Sequence, residues 1–347
     1  MSDAREAYRR AGVDVAAGEE AVARIRPLAE RTFGPAVLGT LGGFAGAIRF
    51  DPGRYRDPVL LAGCDGVGTK LAVAEATGRW DGIGQDLVAM CVNDVAAAGG
   101  DILFFLDYIA CGRLDPDQIE RIVASMAHAL EGTGAALLGG EMAEMPGMYP
   151  AGRVDLAGFA VGACERAELL GPDRVRPGDV LLGLASSGPH ANGFSLIRRL
   201  VDEHADGLDA ELEGVGRLAP ALLAPTRVYV RALAALRETG GLHAAAHLTG
   251  GGWQGNLPRV LPVGLGARVD LGSWPVPAVF RHLQRWGGLD EHEMLATFNM
   301  GVGMVCVVAA DAVETARAAL ERAGEGACVV GEVEEGGAGV RFAAKAS

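Results

Sequence analysis

The sequence has few aromatic residues, no closely spaced cysteine pair and no long apolar run. Phe, Trp and Tyr make up 5% of the 347 residues, and the six cysteines are scattered without a C-x-x-C pair. Cysteines in apolar runs such as GMVCVV (303–308) argue against a zinc site or a disulfide framework and favour a reducing compartment. No apolar stretch approaches the roughly 18 residues of a membrane helix, and the amino terminus lacks an apolar signal region. We therefore predict a cytoplasmic protein with no membrane partner.

The chain is also poor in basic residues. Lys and Arg number 31 against 44 Asp and Glu, so the formal net charge is −13. No basic stripe is present, which argues against a nucleic-acid partner. The same charge repels a polyanion such as ATP at long range, so a ligand of that kind needs a metal ion or local cations.

What the sequence has in abundance is glycine, with 52 residues, between alternating strand and helix patterns. This alternation predicts a mixed α and β fold, and the length favours two domains. Residues 115–132 form the clearest predicted helix, in which Asp115 caps the first turn and Gln118 completes a capping box. Two Gly/Pro breaks within 169–184 place the boundary near residue 170, which gives domains 1–170 and 171–347.

Four glycine-rich stretches each follow an apolar run and carry polar residues. They are GCDGVGTK (63–70), GGEMAEMPGMY (139–149), SSGPHANGFS (186–195) and HLTGGGWQGN (247–256). Glycines allow a ligand to approach the backbone and its amide groups closely. The first stretch is similar to a P-loop with its last two residues exchanged, but it contains an acid, Asp65.

Four acids lie in apolar surroundings: Asp65, Asp94, Asp107 and Glu141. Carboxylates removed from water need a partner, and Mg²⁺ is held by one or two carboxylates together with water and phosphates. The pattern indicates a metal-bound phosphate, with Lys70 as the opposing cation. The alternative is that these acids are turn or cap residues and that Lys70 is a solvated surface charge.

The two later stretches suggest a substrate site. His190, beside Ser186, Ser187 and Asn192, could bind a polar substrate or carry a proton near neutral pH. Thr249 and the glycines that follow offer a hydroxyl and closely spaced amides that suit a phosphate monoester. The alternatives are that His190 is a turn residue and that His247 is a structural residue at a strand end; Asn299 is a further possible ligand contact.

In this order, the stretches resemble the phosphoribosylformylglycinamidine cyclo-ligase family, the AIR synthetases of purine biosynthesis. The resemblance covers nearly the whole chain and also includes IGQDLVAMCVNDV (83–95), FFLDYIACGRLD (104–115) and TFNMGVGM (297–304). Two residues depart from the family pattern: Cys64 stands where threonine is usual, and Arg26 where lysine is usual, which leaves the role of Arg26 open. The resemblance implies an α+β fold whose amino-terminal domain forms a β-barrel across a homodimer, with a carboxy-terminal α/β domain packed on it.

The resemblance further implies the Mg²⁺-dependent reaction of formylglycinamidine ribonucleotide (FGAM) with ATP to give 5-aminoimidazole ribonucleotide (AIR), ADP and phosphate. Joined to the residue patterns, it assigns catalysis to His190, Asn192 and Lys70, and the metal to Asp65, Asp94 and Glu141. The predicted ATP contacts are Gly63, Asp65, Gly66, Gly68, Thr69, Lys70, Gly139 and Gly140. The predicted substrate contacts are Ser187, His190, Asn192, His247, Thr249, Gly250, Gly251 and Gly252.

Three alternatives share the nucleotide chemistry but not the reaction. Selenophosphate synthetase would carry a reactive cysteine ahead of its first glycine loop, whereas the first cysteine here, Cys64, lies inside it. Thiamine-phosphate kinase fits by fold, but the 139–149 and 186–193 stretches look unlike it. A non-catalytic nucleotide-binding protein would bind Mg-ATP without releasing phosphate.

Overall fold

The computed structural model describes residues 2–344, which form two main β-sheets with helices packed against them. The helices are α1 (Ser2–Arg10), α2 (Val15–Glu30), α3 (Lys70–Thr77), α4 (Ile83–Ala97), α5 (Pro116–Glu131), α6 (Phe194–His204), α7 (Leu218–Leu222), α8 (Val230–Glu238), α9 (Gly252–Asn256), α10 (Ala278–Gly287), α11 (Glu291–Thr297) and α12 (Val313–Arg322). The strands are β1 (Val37–Leu38), β2 (Ala47–Ile48), β3 (Pro58–Gly66), β4 (Asp101–Cys111), β5 (Ala136–Glu144), β6 (Val154–Glu165), β7 (Val180–Ala185), β8 (Glu211–Leu212), β9 (Gly216–Arg217), β10 (Leu242–His247), β11 (Leu265–Leu271), β12 (Val302–Val308), β13 (Ala327–Glu335) and β14 (Gly339–Ala344).

The first sheet has the strand order β3-β6-β4-β5 and is covered by helices on one face only. β4 and β5 are parallel, and the other two pairs are antiparallel. Strand residues alternate between the two faces, so Leu61 packs into the core formed with α4 and α5, while its neighbour Leu60 is 65% exposed. We call the uncovered side the open face, defined by Leu60, Ala62, Cys64, Leu106 and Phe159.

The second sheet has the order β10-β12-β7-β13-β11-β14, and its central strands are buried on both faces. All seven residues of β12 are buried, as expected for a central strand with helices on either side. One face of this sheet shares a core with α4, α5 and α8, and the other packs against α6, α10 and α11. Because the first core contains residues of both sheets, the two halves of the chain meet along a continuous apolar contact.

The local predictions made from the sequence agree with these elements. The helix predicted over 115–132 is α5, and Asp115 caps it by accepting a hydrogen bond from the amide of Asp117. The predicted capping box is wrong: Gln118 is buried, and among the described residues it makes no hydrogen bond back to Asp115. The mixed α and β class is confirmed. Within the described residues, no helix has the length and apolar character required to cross a membrane. The domain boundary near residue 170 stays a prediction, although the first sheet ends at Glu165 and the second begins at Val180.

Gly84 lets α4 and α5 approach each other closely. A Cβ atom at this position would collide with the carbonyl oxygen of Ile122 and lie 2.6 Å from the amide nitrogen of Met126. We predict that Gly84→Ala lowers the free energy of unfolding by about 1–3 kcal/mol, because the helices must separate. Urea denaturation of the purified protein measures this change.

Gly18→Ala in α2 provides the matched control, since a Cβ there meets no atom within 4 Å. This variant should be neutral or more stable by up to about 1 kcal/mol, because alanine restricts the unfolded chain. Equal free energies of unfolding for the two variants would contradict the packing account.

Candidate functional site

Two acids flank one glycine in the first sheet. Asp65 of β3 and Asp107 of β4 are paired with Gly158 of β6 from its two sides, so both point to the face that carries α4. Two strand spacings put their Cα atoms about 10 Å apart. The carboxylate of Asp107 lies over Gly140 of β5, where any Cβ atom would collide with it. Asp65 and Asp107 therefore form a row on this face of the sheet, next to glycines that have no side chain.

These acids are poorly solvated for charged groups. Loss of water around Asp107 raises its pKa to about 7, and the nearby charge of Glu141 raises it further. Asp65 is exposed, but partial loss of hydration raises its pKa; the amide of Gly66 opposes this shift, and Asp94 adds to it. A cation close to either carboxylate would lower its pKa, because an opposite charge favours the ionised form.

Asp94 connects this row to the second half of the chain. Its carboxylate lies 2.9 Å from Nδ1 of His247, at the end of β10, and the Asp94 side chain is 50% exposed. Next to it on α4, the buried amide of Asn93 accepts a hydrogen bond from the amide of Tyr229 and donates one to the carbonyl of Arg227. Asp65 and Asp94 therefore lie where α4 meets β10 and the segment around Tyr229 in the second half of the chain, and we call this junction the cleft.

Lys70 is not where the sequence analysis placed it. Its side chain is fully buried, 2.8 Å from Asp86, and it also donates to the carbonyl oxygens of His190 and Ala224, each at 2.9 Å. Burial lowers the pKa of Lys70 and raises that of Asp86, and the ion pair opposes both shifts. Because these partners occupy all three ammonium hydrogens, Lys70 has no hydrogen left for a phosphate in this arrangement.

His190 has an unusual backbone and an unpaired ring nitrogen. Its φ is 60°, in the left-handed region, and its side chain is fully buried. Nε2 accepts a hydrogen bond from the amide of Ser187, whereas Nδ1 has no partner among the described residues. Burial lowers the pKa of His190 well below its ordinary value, so the ring is neutral. A strained residue with an unpaired buried nitrogen is a frequent feature of functional sites.

Other residues predicted to contact ATP or the substrate lie where the two halves of the chain meet. Asn192 approaches Met90 of α4, with its amide nitrogen 3.8 Å from the sulfur. Thr69, at the start of α3, shares a 3.1 Å hydrogen bond with Ser195. The hydroxyl of Ser187 donates to the carbonyl of Pro225, which directs it towards backbone rather than ligand.

Asn256 and Asn299 hold two of the glycine-rich loops in shape. The sequence analysis did not assign a structural role to either residue. The amide of Asn256 donates to the carbonyl oxygens of Gly252 at 2.8 Å and Gly250 at 3.2 Å, and its oxygen accepts from Thr249. Asn299, predicted as a possible ligand contact, is buried; it donates to Gly188 and accepts from Gly301. Asn256 therefore fixes the loop that carries the predicted phosphate contacts, and Asn299 fixes the loop that contains His190.

The glycines predicted to approach ATP have different surroundings. Gly63 makes room for α4, since a Cβ there would lie 3.2 Å from the carbonyl oxygen of Cys91, and Gly66 is similarly packed against Leu156. Gly68, with a φ of 69°, has open space around it. Gly139 and Gly140 lie in β5.

The three acids predicted as metal ligands do not form a ready site. Within residues 2–344, no three His, Cys, Asp or Glu side chains are grouped closely enough to hold a metal ion. Asp65 and Asp94 lie close enough for each charge to act on the other. Glu141 follows Gly140 in β5, so it points to the face opposite that of Asp107. The exposed guanidinium of Arg26 lies against Gly42 in the GTLGGFAG stretch.

The chain is similar to known proteins in both sequence and fold. Residues 43–164 match the AIR synthase related protein N-terminal domain, and residues 176–343 match the corresponding C-terminal domain. In solved structures, the chain is similar to thiamine-monophosphate kinase from Stenotrophomonas maltophilia K279a, with 21% identity over 94% of this chain and 97% of that chain and a TM-score of 0.69. It is also similar to the hydrogenase maturation protein HypE in complex with ATP, with 22% identity over 90% and 84% of the two chains and a TM-score of 0.60.

Sequence similarity is much higher to a curated relative. The chain is 49% identical, over 96% of its own length and 97% of the relative's, to phosphoribosylformylglycinamidine cyclo-ligase of Chromobacterium violaceum. This identity and the matches to both domain models show that the chain belongs to the phosphoribosylformylglycinamidine cyclo-ligase family.

Proposed function

We propose that the protein cyclises FGAM to AIR in purine biosynthesis, with conversion of ATP to ADP and phosphate. It is a ligase that forms a C–N bond. This conclusion rests on 49% identity, over 96% of the chain, to a relative named phosphoribosylformylglycinamidine cyclo-ligase. The cleft adds a physical basis, because it joins acids on α4 and β3 to the glycine loops that follow β7 and β10.

The reaction requires activation of a poor electrophile. The terminal phosphoryl group of ATP moves to the formamide oxygen of FGAM, which turns that oxygen into a leaving group and releases ADP. An amidine nitrogen then forms a bond to the same carbon, the C–O bond breaks and phosphate departs as the ring closes. Such steps depend mainly on positioning and on stabilisation of charge, and they need no protein nucleophile.

Asp65 and Asp94 fit a role as the carboxylates that hold Mg²⁺. The poor solvation of Asp65 and its proximity to Asp94 favour a cation, and Mg²⁺ takes its remaining ligands from water and phosphates rather than from a closed protein cage. When bound, Mg²⁺ neutralises phosphate charge and orients the triphosphate. Glu141 is a third proposed ligand that would need a change in position. A structural neighbour was solved in complex with ATP, and we propose that the nucleotide in this protein binds beside Gly66–Thr69 and Gly139.

Lys70 acts in this proposal through the protein rather than on the phosphates. Its ammonium group holds the carbonyl of His190, so it fixes the 186–193 loop against α3. The loop places His190 and Asn192 beside the cleft, where we propose that they contact the reacting amide and amidine. The ribose phosphate of the substrate is assigned to Thr249 and the glycines 250–252, with His247 beside them.

The open face supports a homodimer that completes a β-barrel. Leu60 and Phe159 are 65% and 42% exposed, and they belong to one apolar surface on a sheet that has helices on its other side. Apolar surface of this kind is characteristic of a protein interface. A second copy of the same sheet would cover it face to face, with the two open faces in contact. A cytoplasmic location stays a prediction.

The direct test is ADP formation by the purified protein with Mg-ATP, measured with and without FGAM. We expect ADP release that depends on FGAM, with one AIR formed per ADP. ADP formation independent of FGAM, or nucleotide binding without turnover, would show one of the alternative activities instead.

Asp94→Asn tests the metal assignment within the same assay. Asparagine keeps an oxygen for the hydrogen bond to His247 but removes the charge, so turnover should fall at least about tenfold and require more Mg²⁺. Asp202→Asn, on the exposed side of α6, removes the same charge elsewhere and serves as the control. Full turnover by Asp94→Asn at low Mg²⁺ would exclude this residue as a ligand.

His190→Ala tests a role for the ring in the reaction. We expect kcat/KM to fall by more than about tenfold, roughly 1.4 kcal/mol of transition-state stabilisation. His190→Asn, which tolerates left-handed backbone and retains a polar side chain, separates the ring from the loop conformation. If both variants keep kcat/KM within tenfold of the parent, a chemical role for His190 is untenable.

Phe159→Glu combined with Leu60→Glu tests the homodimer. Charges on the open face should convert a dimer to a monomer, because a buried unpaired carboxylate costs several kcal/mol. Sedimentation equilibrium measures the mass of each species. Val263→Glu, at an exposed loop position, is the control and should remain dimeric. A dimer that survives both open-face charges would place the interface elsewhere.

A further inference from the structure

A second cavity lies between the two halves of the chain, apart from the cleft. It has a volume of about 300 Å³, and its walls are α8 from the second half and the turns around Gly100 and Gly132–Gly134 from the first. None of its lining residues belongs to the predicted catalytic, ATP, metal or substrate sets. We call it the arginine crevice, for Arg54, Arg231 and Arg237 on its walls.

The arginine crevice is positively charged in a strongly acidic protein. Arg54 and Arg237 both form ion pairs with the single acid on its walls, Asp101. Arg231 is exposed on α8 and forms no hydrogen bond or ion pair with any residue from 2 to 344. Three arginines against one aspartate leave a formal excess of two positive charges. The whole chain, in contrast, carries a net charge of −13.

Neutral polar groups also lie in or beside the crevice. Arg237 also donates to the carbonyl of Gly99, which fixes its guanidinium at the wall. The hydroxyl of Tyr55 is buried without a partner in the described part of the chain, close enough to Arg54, Asp101 and Arg237 to feel their charges. Thr133 supplies a further hydroxyl side chain among the lining residues.

We propose that the arginine crevice binds a small phosphorylated metabolite that bridges the two halves of the chain. A phosphate monoester carries close to two negative charges at neutral pH, which matches the excess on the walls. Guanidinium groups bind phosphate oxygens through paired hydrogen bonds, and Arg231 has its donors available. The volume suits a small ligand, since about 300 Å³ is the lower end of the range for ligand pockets.

The site would act on the contact between the halves. Arg54 and Thr133 belong to the first half, whereas Arg231 belongs to α8, whose preceding residue Tyr229 is held by Asn93 at the cleft. An anion held by both walls stabilises the folded chain, and the stabilisation increases with the logarithm of its free concentration above Kd, because it binds the folded chain and not the unfolded one.

Thermal unfolding in inorganic phosphate, at constant ionic strength, tests this proposal. The parent protein should show a rise in Tm with phosphate, and Arg231→Gln should need about tenfold more phosphate for the same rise, equivalent to about 1.4 kcal/mol. Arg231→Lys should retain part of the effect, because it keeps the charge and loses the paired hydrogen bonds.

Arg198→Gln is the matched control, since it removes an exposed arginine from α6, away from the crevice. It should respond to phosphate as the parent does. Phosphate can also bind in the cleft, but that contribution is the same in all variants. Identical phosphate responses in the parent, Arg231→Gln and Arg198→Gln would overturn the proposal, and so would an equal rise in Tm from citrate, which would assign carboxylates rather than phosphates.

Discussion

The buried ion pair between Lys70 and Asp86 holds the two halves of the molecule in register. Both residues come from the first half, yet their remaining hydrogen bonds go to His190, Ala224 and Thr226 in the second. Burying two charges is expensive unless every polar group is paired, so this arrangement tolerates little displacement. The ion pair on α3 and α4 therefore sets the position of the loop that contains His190. These contacts hold the two halves together at the cleft.

Glycine residues in the first sheet provide the space that the acidic side chains and α4 occupy. Gly63 allows α4 to approach β3 and bring Asp94 beside Asp65, while Gly140 leaves space for the carboxylate of Asp107. A side chain at these glycines would displace the acids or the helix that carries one of them. The glycine-rich motifs therefore shape the protein around the carboxylates, in addition to any approach by a nucleotide.

Much of the fold, and the set of loops at the cleft, could be read from the sequence. The helix at 116–131 carries its own cap, and the glycine stretches at 63–70, 186–195 and 247–256 meet at the cleft. The inward direction of Lys70 could not be read, because its partner Asp86 looks like an ordinary helix residue until the second half supplies Thr226. Strand register sends Glu141 away from Asp107, and the arginines of the crevice are too far apart in sequence to form a motif.

The first sheet is a single layer of strands, with an exposed apolar surface on one side and acidic residues facing the helices on the other. Along β3, Leu60 faces outward on the open face, and five residues later Asp65 faces the helices. A partner on the outer surface would therefore contact the same strand whose backbone positions Asp65. Association of two copies would tune catalysis through the backbone itself, and turnover per molecule would rise or fall with protein concentration.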